Sequence, residues 1–256
     1  MSLEVKKKVF FHLGYPKTGT TLLQTHLFPK HSQINYVSGH YKWMTIYDFI
    51  MDSSSKRSIW KMNDKEFNNS YNEFLSKLNT IGSSLDSNKC NILSNETFFQ
   101  RFFYREYNYD VFKGLLRLIS LFNKANIDLN FFLVIRNHSD IIPSFYYQNR
   151  VFDSLNELSI NANEIIKYFQ TGKNNNTKVS KEIFDIFNYS KIHNYLSHHL
   201  KPDKIKFFLY ENLQNNKEKF FSELSNYLEI EMSENCMVKA NQEENTTSEK
   251  LKYERL

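Results

Sequence analysis

Glycine, proline and cysteine are scarce in this sequence. Its 256 residues include 6 glycines, 4 prolines and 2 cysteines. The low glycine and proline content argues against a glycine-rich all-β barrel, a collagen-like chain and a proline-rich disordered chain. Cys90 and Cys236 cannot build a disulfide framework, and no C-x-x-C pair or His/Cys cluster indicates structural zinc. We therefore expect a globular protein of a reducing compartment that needs no metal.

Long apolar runs and a strong charge of one sign are also missing. No run of 18 apolar residues is present, so we expect no membrane-spanning helix. The first four residues lead directly into a strand-like run and leave no room for a signal peptide, which predicts a cytoplasmic protein. The net charge of +5 suits an anionic small molecule but is too weak to predict a nucleic-acid partner.

Short apolar runs alternate with amphipathic segments along the chain. The run at 129–135, LNFFLVI, is almost continuously apolar, as is typical of a central parallel strand covered on both faces. Strands alternating with helices predict an α/β sheet with crossover connections. We expect one domain spanning 1–256, with helical insertions at about 42–88 and 150–200. Strands are predicted at 8–13, 34–37, 91–94, 129–135 and 205–209, and helices at 20–28, 43–51, 67–85, 111–122, 183–200 and 219–228.

The segment FFHLGYPKTGTTLL carries the strongest functional signal. An apolar strand runs into a loop bounded by Gly14 and Gly19, and a helix follows. That arrangement directs backbone N–H groups and the positive end of a helix at one point, which makes an anion site. The glycines have the spacing of the Walker A pattern G-x-x-x-x-G-K-[ST], but Thr20 replaces its lysine and Lys17 lies inside the loop. The segment predicts a phosphate-binding loop in which the lysine lies inside the loop and not directly after the second glycine.

Three segments resemble sulfotransferases that use 3′-phosphoadenylyl sulfate (PAPS). The run PKTGTT at 16–21 resembles their 5′-phosphosulfate loop. In VIRNHSDIIPSFY at 134–146, an arginine ends a strand and a serine follows eight residues on, as in their 3′-phosphate motif. FFLYENL at 207–213 resembles their late Tyr-Glu-Asp-Leu segment. The nucleotide-binding residues that this resemblance implies are Pro16, Lys17, Thr18, Gly19, Thr20, Thr21, Arg136, Ser144 and Tyr210.

The resemblance implies a fold and a reaction. The fold would be a three-layer, P-loop NTPase-like sulfotransferase fold with a mostly parallel central sheet, in a bacterial protein. The enzyme would move a sulfuryl group from PAPS to a hydroxyl of a carbohydrate or small metabolite, release adenosine 3′,5′-bisphosphate (PAP) and use no metal. PAPS carries two separate anionic groups, which suits a loop at Lys17 and a guanidinium at Arg136, both at strand carboxyl ends. Lys17 would neutralise charge on the leaving phosphate oxygen.

Two residues are candidates for the base that takes the acceptor proton. His40 follows the second strand, in a region where carbohydrate and tyrosyl-protein sulfotransferases tend to carry a catalytic Glu. Glu96 follows the third strand in ILSNE, which resembles a Leu-Ser-Ser-Glu stretch of bacterial relatives. The choice between them stays open. His12, inside the first strand, is interpreted as a packed core histidine, and Ser139 is expected to cap the helix after the central strand.

Other interpretations compete with this hypothesis. An ATP-dependent P-loop phosphotransferase is disfavoured, because no lysine follows Gly19 and no apolar strand ends in an Asp that would hold Mg²⁺. A catalytically silent nucleotide-binding protein is suggested by the polar tail, where only Lys239 stands near the Arg-Lys-Gly run of many cytosolic sulfotransferases. Arg136 is alternatively a structural ion-pair partner of Asp140 or Glu182. Tyr210 is alternatively a buried tyrosine at a strand end.

Overall fold

A computed structural model describes residues 6–15, 17–37, 59, 62–95, 110–142, 144 and 187–231. Within this part of the chain, five strands form one parallel sheet: β1 Lys7–Leu13, β2 Ile34–Tyr36, β3 Cys90–Asn95, β4 Ile127–Ile135 and β5 Ile205–Leu209. The described helices are α1 Asp64–Gly82, α2 Val111–Lys124, α3 Tyr189–His199, α4 Tyr210–Asn215 and α5 Lys217–Leu228. A π-helical turn, Leu22–Leu27, follows β1, and a 3-10 turn, Pro202–Lys204, precedes β5.

The sheet has helices on both faces, because successive strand residues point to opposite faces and apolar residues occur on both. On one face, Phe11 of β1 contacts Phe131 of β4, with ring centroids 5.7 Å apart, and this cluster includes buried residues of α1, α2 and α3. On the other face, Phe10 and Phe132 belong to a cluster with the π-helical turn, α4 and α5. The predicted three-layer α/β architecture is therefore confirmed.

The strand order determines where the segments after β1 and β4, which carry predicted site residues, lie in the fold. The order across the sheet is β2-β3-β1-β4-β5, so the chain leaves β1 for one edge and later reaches β4 and β5 on the other side. The π-helical turn after β1 packs on one face, whereas Ile141 and Ile142 after β4 pack on the opposite face. In open α/β sheets, ligands bind at the carboxyl ends of neighbouring strands whose connections leave toward opposite faces, and β1 and β4 have this arrangement.

Two helices differ from their predictions at the amino end, because capping side chains determine where each helix begins. The helix expected from residue 67 begins at Asp64, because Asn63 and Glu66 form a reciprocal capping box. Asn63 Oδ1 accepts from the Glu66 amide and Glu66 Oε2 accepts from the Asn63 amide, each at 2.9 Å. The prediction that Ser139 caps the helix after β4 is wrong. Asn137 caps it, because its Oδ1 accepts from the Ser139 amide at 3.0 Å.

Other predicted elements are found near their expected bounds, and one short helix was not expected. The strand predicted at 205–209 matches β5 at both ends. The six-residue helix α4 begins directly after it, where only a strand end was predicted. The helix predicted at 43–51 lies outside the described residues. The single-domain organisation with two helical insertions stays a prediction. Among the described helices, none has the length and apolar character that a membrane crossing requires.

Candidate active site

The loop after β1 turns through two left-handed residues. Lys17 has φ +66° and Gly19 has φ +76°, on either side of the buried Thr18. The Thr18 hydroxyl donates to the Tyr15 carbonyl at 2.7 Å, which ties the loop to its own start. Left-handed residues alternating with ordinary ones direct backbone N–H groups into one concavity, which favours an anion. The side chain of Lys17 is exposed, so the loop offers a cation beside that concavity.

Position 19 leaves little room for a side chain. A Cβ there would lie 2.5 Å from Cδ2 of Leu213 and 3.4 Å from Cε2 of Tyr210. Both of these residues belong to α4, so this helix packs directly against the loop. The second glycine of the motif is therefore required for its positive φ and for this close approach.

The guanidinium of Arg136 extends from the end of β4 to the loop. Its Nη1 donates to the carbonyl oxygen of Lys17 at 3.1 Å, and its Cζ lies 4.8 Å from the ring centre of Tyr210. Arg136 Nε is buried and has no hydrogen-bond partner within the described part of the chain. Because an unmet buried donor is costly, Nε is suited to an oxygen acceptor on a bound ligand.

The alternative of a structural ion pair for Arg136 receives no support from this geometry. Among the described residues, its hydrogen bond goes to the loop carbonyl of Lys17 and not to Asp140. Glu182, the other proposed partner, lies outside the described residues. Tyr210 is half-buried and supports the guanidinium through a cation–π contact.

The peptide group between Arg136 and Asn137 is held at both of its polar atoms. The Tyr189 hydroxyl donates to the Arg136 carbonyl at 2.9 Å, and the Asn137 amide donates to Glu211 Oε1 at 2.8 Å. The Tyr189 ring is stacked on His138, with ring centroids 4.8 Å apart. Burial raises the pKa of Tyr189 above its ordinary range, so its hydroxyl keeps the proton that it donates.

His12 is buried beneath the site in a polar pair. Its Nδ1 lies 2.7 Å from Oγ of Ser94, its register partner in β3. Ser94 Oγ also accepts from Gln24 Nε2 at 2.8 Å, and the imidazole stacks on Phe132 at 4.7 Å. Burial lowers the pKa of His12 to about 3, so the ring is neutral near pH 7. The interpretation of His12 as a packed core histidine is confirmed.

The structure brings part of the predicted site together and leaves part outside the described residues. Lys17, Gly19, Arg136 and Tyr210 meet in one contact network at the carboxyl edge of the sheet. Thr20 is buried and Thr21 exposed at the start of the helical turn, and Ser144 is half-buried in helical backbone. Residues 16, 40 and 96, which are the predicted Pro16, His40 and Glu96, lie outside the described residues, beyond the ends of β1, β2 and β3 respectively.

Two contacts at this site were not predicted from the sequence. Glu211 lies inside the third quoted motif, so a signal for it was present without a role. Tyr189 carries no local signal, because its bond to Arg136 depends on how α3 packs beside the sheet.

Comparison with known proteins identifies the family. A model of the sulfotransferase domain matches residues 7–255, which is nearly the whole chain. The chain belongs to the sulfotransferase family. No curated protein sequence matches it.

Solved sulfotransferases share its fold at low sequence identity. A sulfotransferase from Alicyclobacillus acidocaldarius is 14% identical with a TM-score of 0.51, over 91% of this chain and 89% of that one. The sulfotransferase domain of the Synechococcus PCC 7002 olefin synthase is 11% identical with a TM-score of 0.51, over 92% of this chain and 78% of that one. The sulfotransferase fold expected from the motifs is therefore confirmed.

In this member of the sulfotransferase family, the loop after β1 has contacts on two sides. The loop is held by Thr18 from within and by α4 from outside. Within the described residues, no group of three or more His, Cys, Asp or Glu side chains is placed to hold a metal ion.

Proposed function

We propose that the protein transfers a sulfuryl group from PAPS to a hydroxyl of a carbohydrate or small metabolite. The observation that carries the proposal is the geometry of Arg136. Its guanidinium lies beside the loop of Lys17, and its buried Nε has no acceptor among the described residues. A donor with two separate anionic groups suits a loop and a guanidinium that are joined in this way.

The residues fit the donor as follows. The concavity and helix start at 17–21, with the preceding Pro16, would bind the 5′-phosphosulfate, as helix N-termini bind anions. Arg136 and Ser144 would bind the 3′-phosphate, and Tyr210 would border the adenosine. Support comes from the left-handed Lys17 and Gly19, which shape the concavity, and from the unpaired Nε of Arg136.

The chemistry would be an in-line displacement at sulfur. The acceptor oxygen forms the new S–O bond while the S–O bond to the phosphate breaks, and PAP leaves. Lys17 is exposed at the loop and would neutralise the charge that grows on the leaving oxygen. A base removes the acceptor proton, and His40 and Glu96 are the two candidates. Both follow strands whose carboxyl ends lie on the same edge of the sheet as the loop.

A thermal-shift titration tests the proposal, with PAP, AMP and ATP plus Mg²⁺ as ligands. A ligand that binds only the folded protein stabilises it by mass action and so raises its melting temperature. At a concentration of 100 times its Kd, the free energy of unfolding rises by about 2.7 kcal/mol. We expect PAP to stabilise the protein more than AMP does, because only PAP carries the 3′-phosphate. Stabilisation by ATP plus Mg²⁺ alone would overturn the proposal in favour of a phosphotransferase.

A transfer assay completes the test. PAPS with a panel of hydroxylated acceptors, followed by PAP release, should identify turnover. PAP binding with no transfer to any glycan, phenol or small alcohol would indicate a nucleotide-binding protein without catalytic activity.

A further inference from the structure

A single peptide group at the site is hydrogen-bonded to both helical layers. Its carbonyl, on Arg136, accepts from Tyr189 at the start of α3. Its amide, on Asn137, donates to Glu211 at the start of α4. The two helices pack on opposite faces of the sheet, so neither layer alone fixes this peptide.

We propose that Tyr189 and Glu211 are positioning residues that orient Arg136 toward the 3′-phosphate by clamping the 136–137 peptide. This inference rests on the proposed function, in which Arg136 binds that phosphate. β4 fixes the backbone on the amino side of the Arg136 Cα, and the clamped peptide fixes it on the carboxyl side. The Cα is thus held from both sides. A long side chain amplifies any small shift of its Cα, so loss of the clamp would displace the guanidinium.

The contacts around the clamp keep its two hydrogen-bonding groups in place. His138 Nε2 lies 2.7 Å from the Phe187 carbonyl, and its ring stacks on Tyr189, which holds the chain at 187–189 against the chain after β4. Tyr15, which begins the anion loop, packs edge-on against Tyr189 at 5.3 Å between ring centroids. A shift of Tyr189 would therefore be transmitted to the loop as well as to Arg136.

The side chain of Arg136 is supported by the same short helix. Tyr210, next to Glu211, lies 4.8 Å from the guanidinium. The adjacent pair thus contacts Arg136 twice, once at the peptide after it and once at its charged group. An anion-binding arginine gains most from such preorganisation, since its fork must match the phosphate oxygens.

Calorimetry with PAP and AMP tests the clamp through the ratio of the two affinities. We expect Tyr189→Phe and Glu211→Ala each to weaken PAP binding by about 5- to 10-fold and to change AMP binding by less than about 2-fold. Glu211→Gln keeps an oxygen acceptor and should recover most of the PAP affinity. The double variant should lose less than the product of the two single losses, because both bonds act on one peptide.

A matched control removes a similar bond elsewhere on the same strand. The Tyr227 hydroxyl donates to the Phe131 carbonyl of β4 at 2.8 Å, away from the carboxyl edge. Tyr227→Phe should leave both affinities unchanged. If Glu211→Ala does not fold, Glu211→Asp replaces it, because its shorter side chain withdraws the acceptor oxygen.

The outcomes separate the clamp from the function on which it rests. An unchanged ratio of PAP to AMP affinity in Tyr189→Phe and Glu211→Ala overturns the clamp. This holds both when neither affinity changes and when the two affinities fall by the same factor. Arg136→Ala is measured beside them. If it leaves PAP binding unchanged, the assignment of Arg136 fails, and the clamp falls with it.

Discussion

A β-carbon on Gly19 would lie 2.5 Å from Cδ2 of Leu213, closer than any ordinary packed contact. The side chain of Leu213, in α4, therefore packs directly against the backbone of the loop after β1. Because Gly19 also has φ +76°, two independent constraints select glycine at this position.

Gly19→Ala should destabilise the protein and the proposed nucleotide site. The positive φ and the overlap with Leu213 together should lower the free energy of unfolding by about 2–4 kcal/mol. Urea denaturation measures the loss, and PAP calorimetry measures the change at the loop. Gly82→Ala is the matched control, since its Cβ would meet Ile127 Cδ1 at an ordinary 3.7 Å. Equal effects of the two substitutions would contradict the argument.

Lys17→Ala should mainly slow the transfer step. In the proposed mechanism, loss of the ammonium would remove charge stabilisation from the leaving phosphate, which we expect to lower kcat by about 10²- to 10³-fold. The Lys17 carbonyl that accepts from Arg136 is retained, so this substitution isolates the side chain. Initial rates with PAPS and an acceptor found in the screen measure the effect. Lys201→Ala removes another exposed lysine and should leave kcat unchanged. Wild-type turnover in Lys17→Ala would refute its role.

His40→Ala and Glu96→Ala, measured side by side, should distinguish the two candidate bases. Removal of a general base lowers turnover by about 10²- to 10⁴-fold and leaves binding of the donor nucleotide intact. We expect one variant to lose turnover while its PAP affinity is unchanged. Full activity in both variants would mean that neither residue is the base, and loss of PAP affinity would reassign the residue to binding.

His12 should make the stability of the protein depend on pH. Its pKa is lowered to about 3 in the folded state, against an ordinary value of 6.5. Between these values the unfolded chain binds a proton that the folded protein does not, so stability falls as pH falls below 6.5 and levels off below about 3. From pH 7 to pH 5, this one group should remove about 2 kcal/mol of stability.

The His12 contribution is measured by urea denaturation at a series of pH values. His12→Asn cannot titrate, so its stability should fall less steeply between pH 7 and pH 5 than that of the unmodified protein. His199→Gln removes an exposed histidine and should keep the steep dependence. Comparison of slopes rather than absolute stabilities corrects for the cavity that the smaller side chain creates. Parallel slopes for His12→Asn and the unmodified protein would contradict the argument.

The central features of the fold could be predicted because they depend on local sequence pattern. The apolar run of β4 and the strand–loop–helix at Gly14 to Gly19 each carry their own signal. From the sequence, Lys17 and Arg136 could be placed at the same edge of a parallel sheet, but their contact could not be predicted. Their hydrogen bond depends on the neighbouring positions of β1 and β4, which strand order decides.

The features that the sequence did not predict depend on competition between possible capping residues or on contacts between residues far apart in the sequence. Asn137 and Ser139 are both good capping residues, and Asn137 caps because it directly precedes the helical backbone that begins at residue 138. The capping box of Asn63 and Glu66 has the usual spacing of three residues, but it lies before the first apolar residue of the helix, where the apolar pattern gives no boundary. Tyr189 lies 53 positions from Arg136, and no periodicity connects residues so far apart.

The position of β1 in the middle of the sheet has a consequence for synthesis of the chain. β1 is made first, yet its neighbours β3 and β4 begin at Cys90 and Ile127. At roughly 5–20 residues per second, the ribosome leaves this strand without either partner for on the order of 10 seconds. Until then the π-helical turn and α1 are the elements available to cover Phe10 and Phe11, and both hydrogen-bonding edges of β1 are unpaired. We expect the yield of the protein to depend on chaperone capacity more than that of a helical bundle of equal length, whose neighbours meet as they are made.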